Sequence, residues 1–246
     1  MNVSKKTVPM YNCLITCEHA SNRVPEVLQP LLGSRKRLLD SHRSWDRGAL
    51  EVAVKIAEST GAKCISAEIT RLAVDCNRSE KNRSRFSSFT RKLSPEERAI
   101  IDNNYYHLFR NAVERYVLHS LLGNNRVLHF SVHSFTPILH GIKRTADIGL
   151  LYDPSRNNER QIAGELKRSI VSAQPSLVVR FNYPYRGISD STVSWLRGRF
   201  SSEKYCGIEL EINQRFTRTP ERWRQLKELL AESAAAITAL KHHNEK

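Results

Sequence analysis

The sequence is short of several things, and each shortage excludes something. Its five cysteines in 246 residues (Cys13, Cys17, Cys64, Cys76 and Cys206) are scattered, with no CxxC spacing. That argues against a disulfide framework and a cysteine-rich zinc site, and predicts reduced thiols, most of them buried on strands. Nowhere does an apolar run reach the roughly 18 residues of a membrane span. The opening stretch from Met1 to Cys13 has basic residues but no apolar core of the kind a secretory signal needs. A cytoplasmic location without a membrane partner is therefore expected. Internal repeats, low-complexity linkers and breaks in composition are missing as well, and a chain of this length can bury its own core, so residues 1–246 are expected to form a single domain.

Acidic residues are also scarce, 25 against 39 lysines and arginines, for a formal charge of +14. Strongly basic chains meet nucleic acid, anionic membranes or acidic small molecules. Here the basic residues are dispersed, densest from Lys81 to Lys92, and no nucleic-acid motif accompanies them. The balance falls on acidic small molecules, with nucleic acid disfavoured.

What is present reads as alternating strands and helices. Tyr11 to Cys17 is a short apolar run of strand formers, followed by a helical pattern from Asp46, a candidate N-cap, to Gly61 and a second strand from Ala62 to Ile69. Ser94-Pro95-Glu96-Glu97 forms a capping box that opens a helix running to about Leu122. Strands follow over Arg126–Val132, Ile148–Tyr152, Leu177–Phe181 and Cys206–Ile212, with helices over Asn157–Ser172 and from Thr219 to about Leu240. This succession predicts an α/β fold with a mainly parallel or mixed central sheet and helices on both faces. In such sheets sites collect at the carboxyl edge. The irregular polar stretch Ser79 to Leu93 is expected to be a mobile loop over the site.

Polar clusters fall where these strands end. Glu18-His19-Ala20-Ser21-Asn22 follows the first, and His42 to Asp46 precedes the first long helix. Ser131-Val132-His133-Ser134 closes the strand after the capping-box helix, and Glu209 and Glu211 share one face of an otherwise apolar strand. A buried carboxylate is costly unless paired or metal-bound. Arg71 to Arg78, with two arginines, Asp75 and Asn77, reads either as a fork for a carboxylate or as a surface salt-bridge cluster. Imidazole and carboxylate groups suit zinc, and an unligated glutamate can serve as base to the water on a catalytic metal.

At these clusters the sequence resembles the N-formylglutamate amidohydrolase family, which shares the architecture of the zinc carboxypeptidases. The resemblance rests on Cys17 to Pro25, His42 with Trp45 to Ala49, Arg71 with Asp75 to Arg78, Ser131 to Pro137, and Leu210 to Asn213, in that order along the chain. It implies a zinc exopeptidase-like fold and hydrolysis of a small acidic N-formyl or N-acyl amino acid by metal-activated water, with one Zn2+ per chain. Carried over, it implies His19, Asp46 and His133 as metal ligands and Glu211 as general base. It likewise implies Arg71, Asn77 and Arg78 as the substrate-carboxylate site, and Arg144 as a further candidate for that site or for oxyanion stabilisation. The carboxypeptidases carry a glutamate three residues after their first histidine, where this chain has Asn22, so Glu18 and Asn22 stand beside Asp46 as alternatives for the second ligand. Glu209 is expected to orient a neighbour through a salt bridge. The other readings are a non-catalytic anion- or nucleic-acid-binding protein on this scaffold and a zinc exopeptidase.

Overall fold

The structure, a computed structural model, describes residues 11–122 and 125–239. The first ten residues of the stretch read for a signal, and the expected helix end at Leu240, lie outside the described residues. The strands are β1 (Tyr11–Cys17), β2 (Lys63–Ser66), β3 (Arg126–Phe135), β4 (Ile138–Leu139), β5 (Ile142–Lys143), β6 (Ile148–Leu151), β7 (Val179–Phe181) and β8 (Tyr205–Asn213). The helices are α1 (Gln29–Leu32), α2 (Lys36–Leu39), α3 (Ala49–Thr60), α4 (Pro95–Ile101), α5 (Leu108–Ser120), α6 (Asn157–Ala173), α7 (Thr192–Arg197) and α8 (Pro220–Ala239). No helix among the described residues is long and apolar enough to cross a membrane.

Six strands form one sheet in the order β2-β1-β3-β8-β6-β7, while β4 and β5 make a separate hairpin. Strands β2, β1, β3 and β8 run parallel, and β6 lies antiparallel against β8, so the sheet is mixed but mainly parallel, with helices on both faces as expected. Alternation along the strands divides the labour between the two faces. Cys13, Ile15 and Cys17 join Leu128, Phe130 and Val132 of β3 and Cys206, Ile208, Leu210 and Ile212 of β8 on one face, beneath α3, α6 and α8. The opposite face begins apolar, with Leu14, Val127 and Tyr205 against α5 and α7. Toward the carboxyl edge it turns polar while staying buried: Thr16, Ser131, His133, Glu209 and Glu211 all lie there.

The chain order creates the crevice at that edge. From β1 the chain crosses through α3 to β2 on one side, then returns through α5 to β3 on the other side of β1. Leaving β3, the chain moves on to β6 on the far side, so it departs in opposite senses from the carboxyl ends of β1 and β3, which is where α/β sheets bind ligands.

Several expectations change in detail. The second strand is confined to Lys63–Ser66, and Leu177 and Val178 precede β7 rather than belonging to it. Conversely, β3 extends to Phe135, so His133 sits inside the strand. The helix opened by the Ser94 capping box is interrupted by a π-helical stretch, Asp102–His107. Asp46 does not cap α3, whose N-cap is Gly48 with no side-chain cap, because the carboxylate is turned toward two histidines. The stretch expected to be a mobile loop is tied along its length: Ser79 N–H donates to Asp190, Arg85 pairs with Asp102, and the Thr90 hydroxyl donates to the carbonyls of Leu72 and Ala73.

On β6 the sheet admits no side chain at Gly149, which is in register with Glu211. A Cβ there would fall inside the Tyr183 carbonyl oxygen and within 3.2 Å of the Glu211 Cβ. The Tyr183 oxygen is backbone and cannot step aside, so Gly149→Ala should destabilise the fold by about 1–3 kcal/mol, as overpacking does, read as a lower urea midpoint at unchanged slope. Unchanged stability would mean that the 182–187 segment does not press on β6.

Candidate active site

His19 lies just beyond β1, His133 on β3, and Asp46 in the turn that leads into α3. The turn is held by the Asp46 N–H, which donates to the His19 carbonyl at 2.9 Å. It ends at Gly48, whose φ of 82° is left-handed and whose missing side chain makes room for the Trp223 ring. As a result Asp46 Oδ2 lies 3.3 Å from His19 Nδ1 and 3.0 Å from His133 Nδ1. All three residues are buried, and their ligand-type atoms lie within 4.8 Å of one another.

The far nitrogens of both rings are held by carboxylates. His19 Nε2 lies 2.8 Å from Asp75 Oδ1, and His133 Nε2 lies 3.0 Å from Ser131 Oγ and 3.3 Å from Glu18 Oε2. An ionised carboxylate only accepts, so it keeps a proton on each Nε2 and turns each Nδ1 toward Asp46. Burial opposes charge on all three acids, yet the histidines hold Asp46 well below the usual carboxylate range, and Arg71 with His19 does the same for Asp75. Glu18, also opposed by burial, is brought to about 2 chiefly by His133. Burial would lower His133, but hydrogen bonds to Asp46 and Glu18 push it well above its ordinary value. Two imidazole nitrogens and a carboxylate oxygen, backed by carboxylates on the far nitrogens, fit a zinc-type cation in ligand type and number.

Glu211 stands beside this group, since the register of β3 and β8 pairs it with His133. Burial, reinforced by Asp46 and Glu209 and opposed by His133, raises its carboxyl to about 8. Its Oε2 is buried with no hydrogen-bond partner among the described residues, so that oxygen is committed to no other described group. Glu209, on the same face, accepts from the Ser191 hydroxyl at 3.0 Å and makes no ion pair among the described residues. The expected salt bridge is replaced by a hydroxyl because the cap of α7, rather than a basic side chain, faces it.

The chain matches the N-formylglutamate amidohydrolase family over residues 11–217. It belongs to that family. Among solved structures it is similar to gene product Atu2144 of Agrobacterium tumefaciens, at 26% identity and a TM-score of 0.78 over 92% of this chain and 90% of that one. It shares its fold with N-formylglutamate amidohydrolase from Ralstonia eutropha JMP134, at 17% identity and a TM-score of 0.71 over 94% and 93% of the two chains. No curated protein matches it. The family makes this chain a hydrolase of the amidohydrolase type.

In this family member the alternatives for the second ligand sit elsewhere. Glu18 is behind the His133 ring, on the Nε2 side, and the Asn22 amide donates to the Leu39 carbonyl. Of the residues expected to bind a substrate carboxylate, Asn77 accepts the Thr192 N–H on its Oδ1 at 2.7 Å, and its amide nitrogen lies 3.3 Å from His133 Nε2. Arg71 is a quarter exposed and pairs with Asp75 at 2.7 Å. Arg78 donates through one nitrogen to the carbonyls of Asn77 and Asp190 and makes no ion pair among the described residues. Arg144 lies over the rings of Phe135 and Tyr185 at 5.6 and 5.2 Å, and its charge opposes the rise of the Glu211 pKa, so it faces the site.

Two contributions escape the sequence reading. Asp75 is grouped there with the substrate fork, whereas it holds His19. Tyr183 and Tyr185, in the Asn182–Gly187 segment after β7, join the site's rim through Phe135 and Arg144. The only signal for that segment is a turn-like Asn, Pro and Gly composition carrying two aromatics.

The raised pKa of Glu211 has a consequence for the metal-free protein. Its folded-state value, about 8, exceeds the ordinary 4.5, so the stability it contributes is fully present below about pH 4.5 and is lost as pH rises through 8. Glu211→Gln keeps the neutral form at every pH. Its melting temperature relative to wild type should therefore climb between pH 5 and pH 9 in chelator-treated protein, and a flat difference would show that the buried carboxyl does not titrate there.

Proposed function

We propose that the chain hydrolyses the amide bond of a small acidic N-formyl or N-acyl amino acid, N-formylglutamate being the type substrate, using one zinc ion per chain. The observation that carries this reading is the meeting of His19 Nδ1, His133 Nδ1 and Asp46 at the crevice beside a glutamate with an uncommitted oxygen. His19, Asp46 and His133 would hold the cation. When bound, a zinc-type ion polarises the scissile carbonyl and makes a water acidic enough to lose its proton near neutral pH.

Beside a bound cation the ionised form of Glu211 is favoured, and its Oε2 would then take the proton of the attacking water and return it to the departing amide nitrogen. The C–N bond then breaks, leaving a carboxylic acid and a free amino acid. Arg144, stacked between two aromatic rings, is placed for the oxygen on which negative charge develops or for a carboxylate of the substrate. Arg71 and Arg78 supply further positive charge for an acidic substrate, and Asn77 holds the start of α7 by accepting the Thr192 N–H. A cytoplasmic setting suits the five free cysteines.

Purified protein should contain about one zinc per chain and lose activity on chelation, with a panel of N-formyl and N-acetyl amino acids as substrates. Glu211→Gln should leave zinc content intact while kcat falls about 10²- to 10⁴-fold, and Glu209→Gln should do much less. Activity that survives chelation in metal-free protein, or equal losses in the two variants, would overturn the reading. Arg144→Lys keeps the charge but loses the planar stack, and should lower kcat/KM on N-formylglutamate by about tenfold. Wild-type kinetics in that variant would assign Arg144 to the rim alone.

A further inference from the structure

Behind His133 a line of buried polar side chains continues down the sheet, away from the crevice. Glu18 Oε1 accepts from the Thr16 hydroxyl at 2.7 Å, Thr16 Oγ1 lies 2.7 Å from His129 Nε2, and His129 Nδ1 lies 2.6 Å from the Tyr205 hydroxyl. His129, Thr16 and Tyr205 have no measurable exposure. Tyr205 is six residues before Glu211 on β8, about 20 Å along an extended strand.

The proton positions along this line follow from its charged end. Glu18 accepts the Thr16 hydroxyl on one oxygen and the Ser131 hydroxyl on the other, so the Thr16 proton goes to Glu18. With that proton committed, Thr16 Oγ1 can only accept at its other contact, so His129 carries its proton on Nε2. Burial lowers the His129 pKa to about 4, which makes the ring neutral at ordinary pH, and its bare Nδ1 then accepts from Tyr205. On the other carboxylate oxygen, Ser131 donates at 2.8 Å, and His133 Nε2–H is shared between Ser131 Oγ and Glu18 Oε2. The Asn77 amide nitrogen, 3.3 Å from the same Nε2, is then a donor facing a donor and adds no hydrogen bond. Every hydrogen bond in the line points toward Glu18. A reversal anywhere along it would leave Glu18 Oε1 without its Thr16 donor.

An apolar alternative is available at the same volume. Tyr205 packs among Leu14, Val127, Val193 and Leu196, where a phenylalanine ring would fit, and buried polar groups cost free energy that apolar ones do not. We propose that Thr16, His129 and Tyr205 are positioning residues for the metal centre: their relay fixes the Glu18 carboxylate on His133 Nε2 and so turns His133 Nδ1 toward the cation. The proposal rests on the reading of His133 as a ligand.

The test uses zinc-loaded protein, with zinc affinity measured against a chromophoric chelator and histidine tautomers read from 15N-labelled ring spectra. Thr16→Val is isosteric but cannot donate to Glu18, and should weaken zinc binding about 10- to 100-fold, the range for loss of an outer partner of a ligand. Thr16→Ser restores the hydroxyl and should bind within about threefold of wild type, which a purely packing role for Thr16 would not produce. Tyr205→Phe should move His129 away from the Nε2–H tautomer while metal-free protein still unfolds cooperatively. If Thr16→Val does not fold, Tyr205→Phe carries the same test through its zinc affinity and the His129 tautomer. Wild-type zinc affinity in both Thr16→Val and Tyr205→Phe, or equal weakening in the Ser and Val variants, would overturn the relay. Wild-type protein that takes up no zinc would sink the metal-centre reading instead, and the ring spectra of His129 and His133 would then decide the relay by themselves.

Discussion

Three carboxylates, Glu18, Asp46 and Asp75, are buried around two imidazoles at one edge of the sheet, and most of the architecture around that edge exists to make their burial tolerable. A buried charge without a partner costs several kcal/mol. Each acid is therefore reached by groups from a different part of the chain. Asp46 meets a histidine from beyond β1 and another from β3, Asp75 meets His19 and Arg71, and Glu18 meets Thr16, Ser131 and His133. If the turn at Asp46 opened, His19 and His133 would lose a common partner, and the cation-binding geometry would go with it.

Strand alternation lets this charged group coexist with a well-packed core. Beneath α3, α6 and α8 the face of β1, β3 and β8 carries a continuous apolar cluster, so this layer of the core is built without the site's polar side chains. The opposite face carries the chemistry, and it is closed by α7 and the segment from Asn182 to Gly187. A buried arginine fastens both to β8: Arg197 pairs with Glu159 and donates to the carbonyls of Gly187 and Gly207. Tyr183 is thereby kept against Gly149, directly beside Glu211.

The net positive charge takes on a more local meaning in this setting. It is dispersed over the surface, but Arg71, Arg78 and Arg144 gather around the crevice, two of them half-tied by protein partners and one stacked on aromatic rings. An arginine with part of its fork already committed is pre-oriented for an anionic group at little entropic cost. The N-formylglutamate amidohydrolase family, to which the chain belongs, thus appears in this member as a basic rim above an acidic, histidine-centred floor.

The local elements were legible because their signals are local. The apolar runs of β1, β3 and β8, the capping box at Ser94 and the periodicities of α3, α6 and α8 follow from neighbours a few residues apart. So did the polar clusters that hold His19, Asp46, His133 and Glu211 at strand ends and a helix start, while the roles expected of these four came from the family resemblance. Pairing was not legible. Which carboxylate faces which ring nitrogen depends on the register of β1, β3 and β8 and on the turn at Gly48, and these join residues as far apart in the chain as Glu18 and His133. By local signals alone Asp46 therefore read as a helix cap, Asp75 as part of an arginine cluster, and His129 and Tyr205 as nothing at all. By itself the sequence determined the layered α/β architecture and the residue types at its carboxyl edge. Only the tertiary structure decided which of them share the crevice, because a hydrogen bond's direction and a ligand's orientation are set by partners the chain brings together only when it folds.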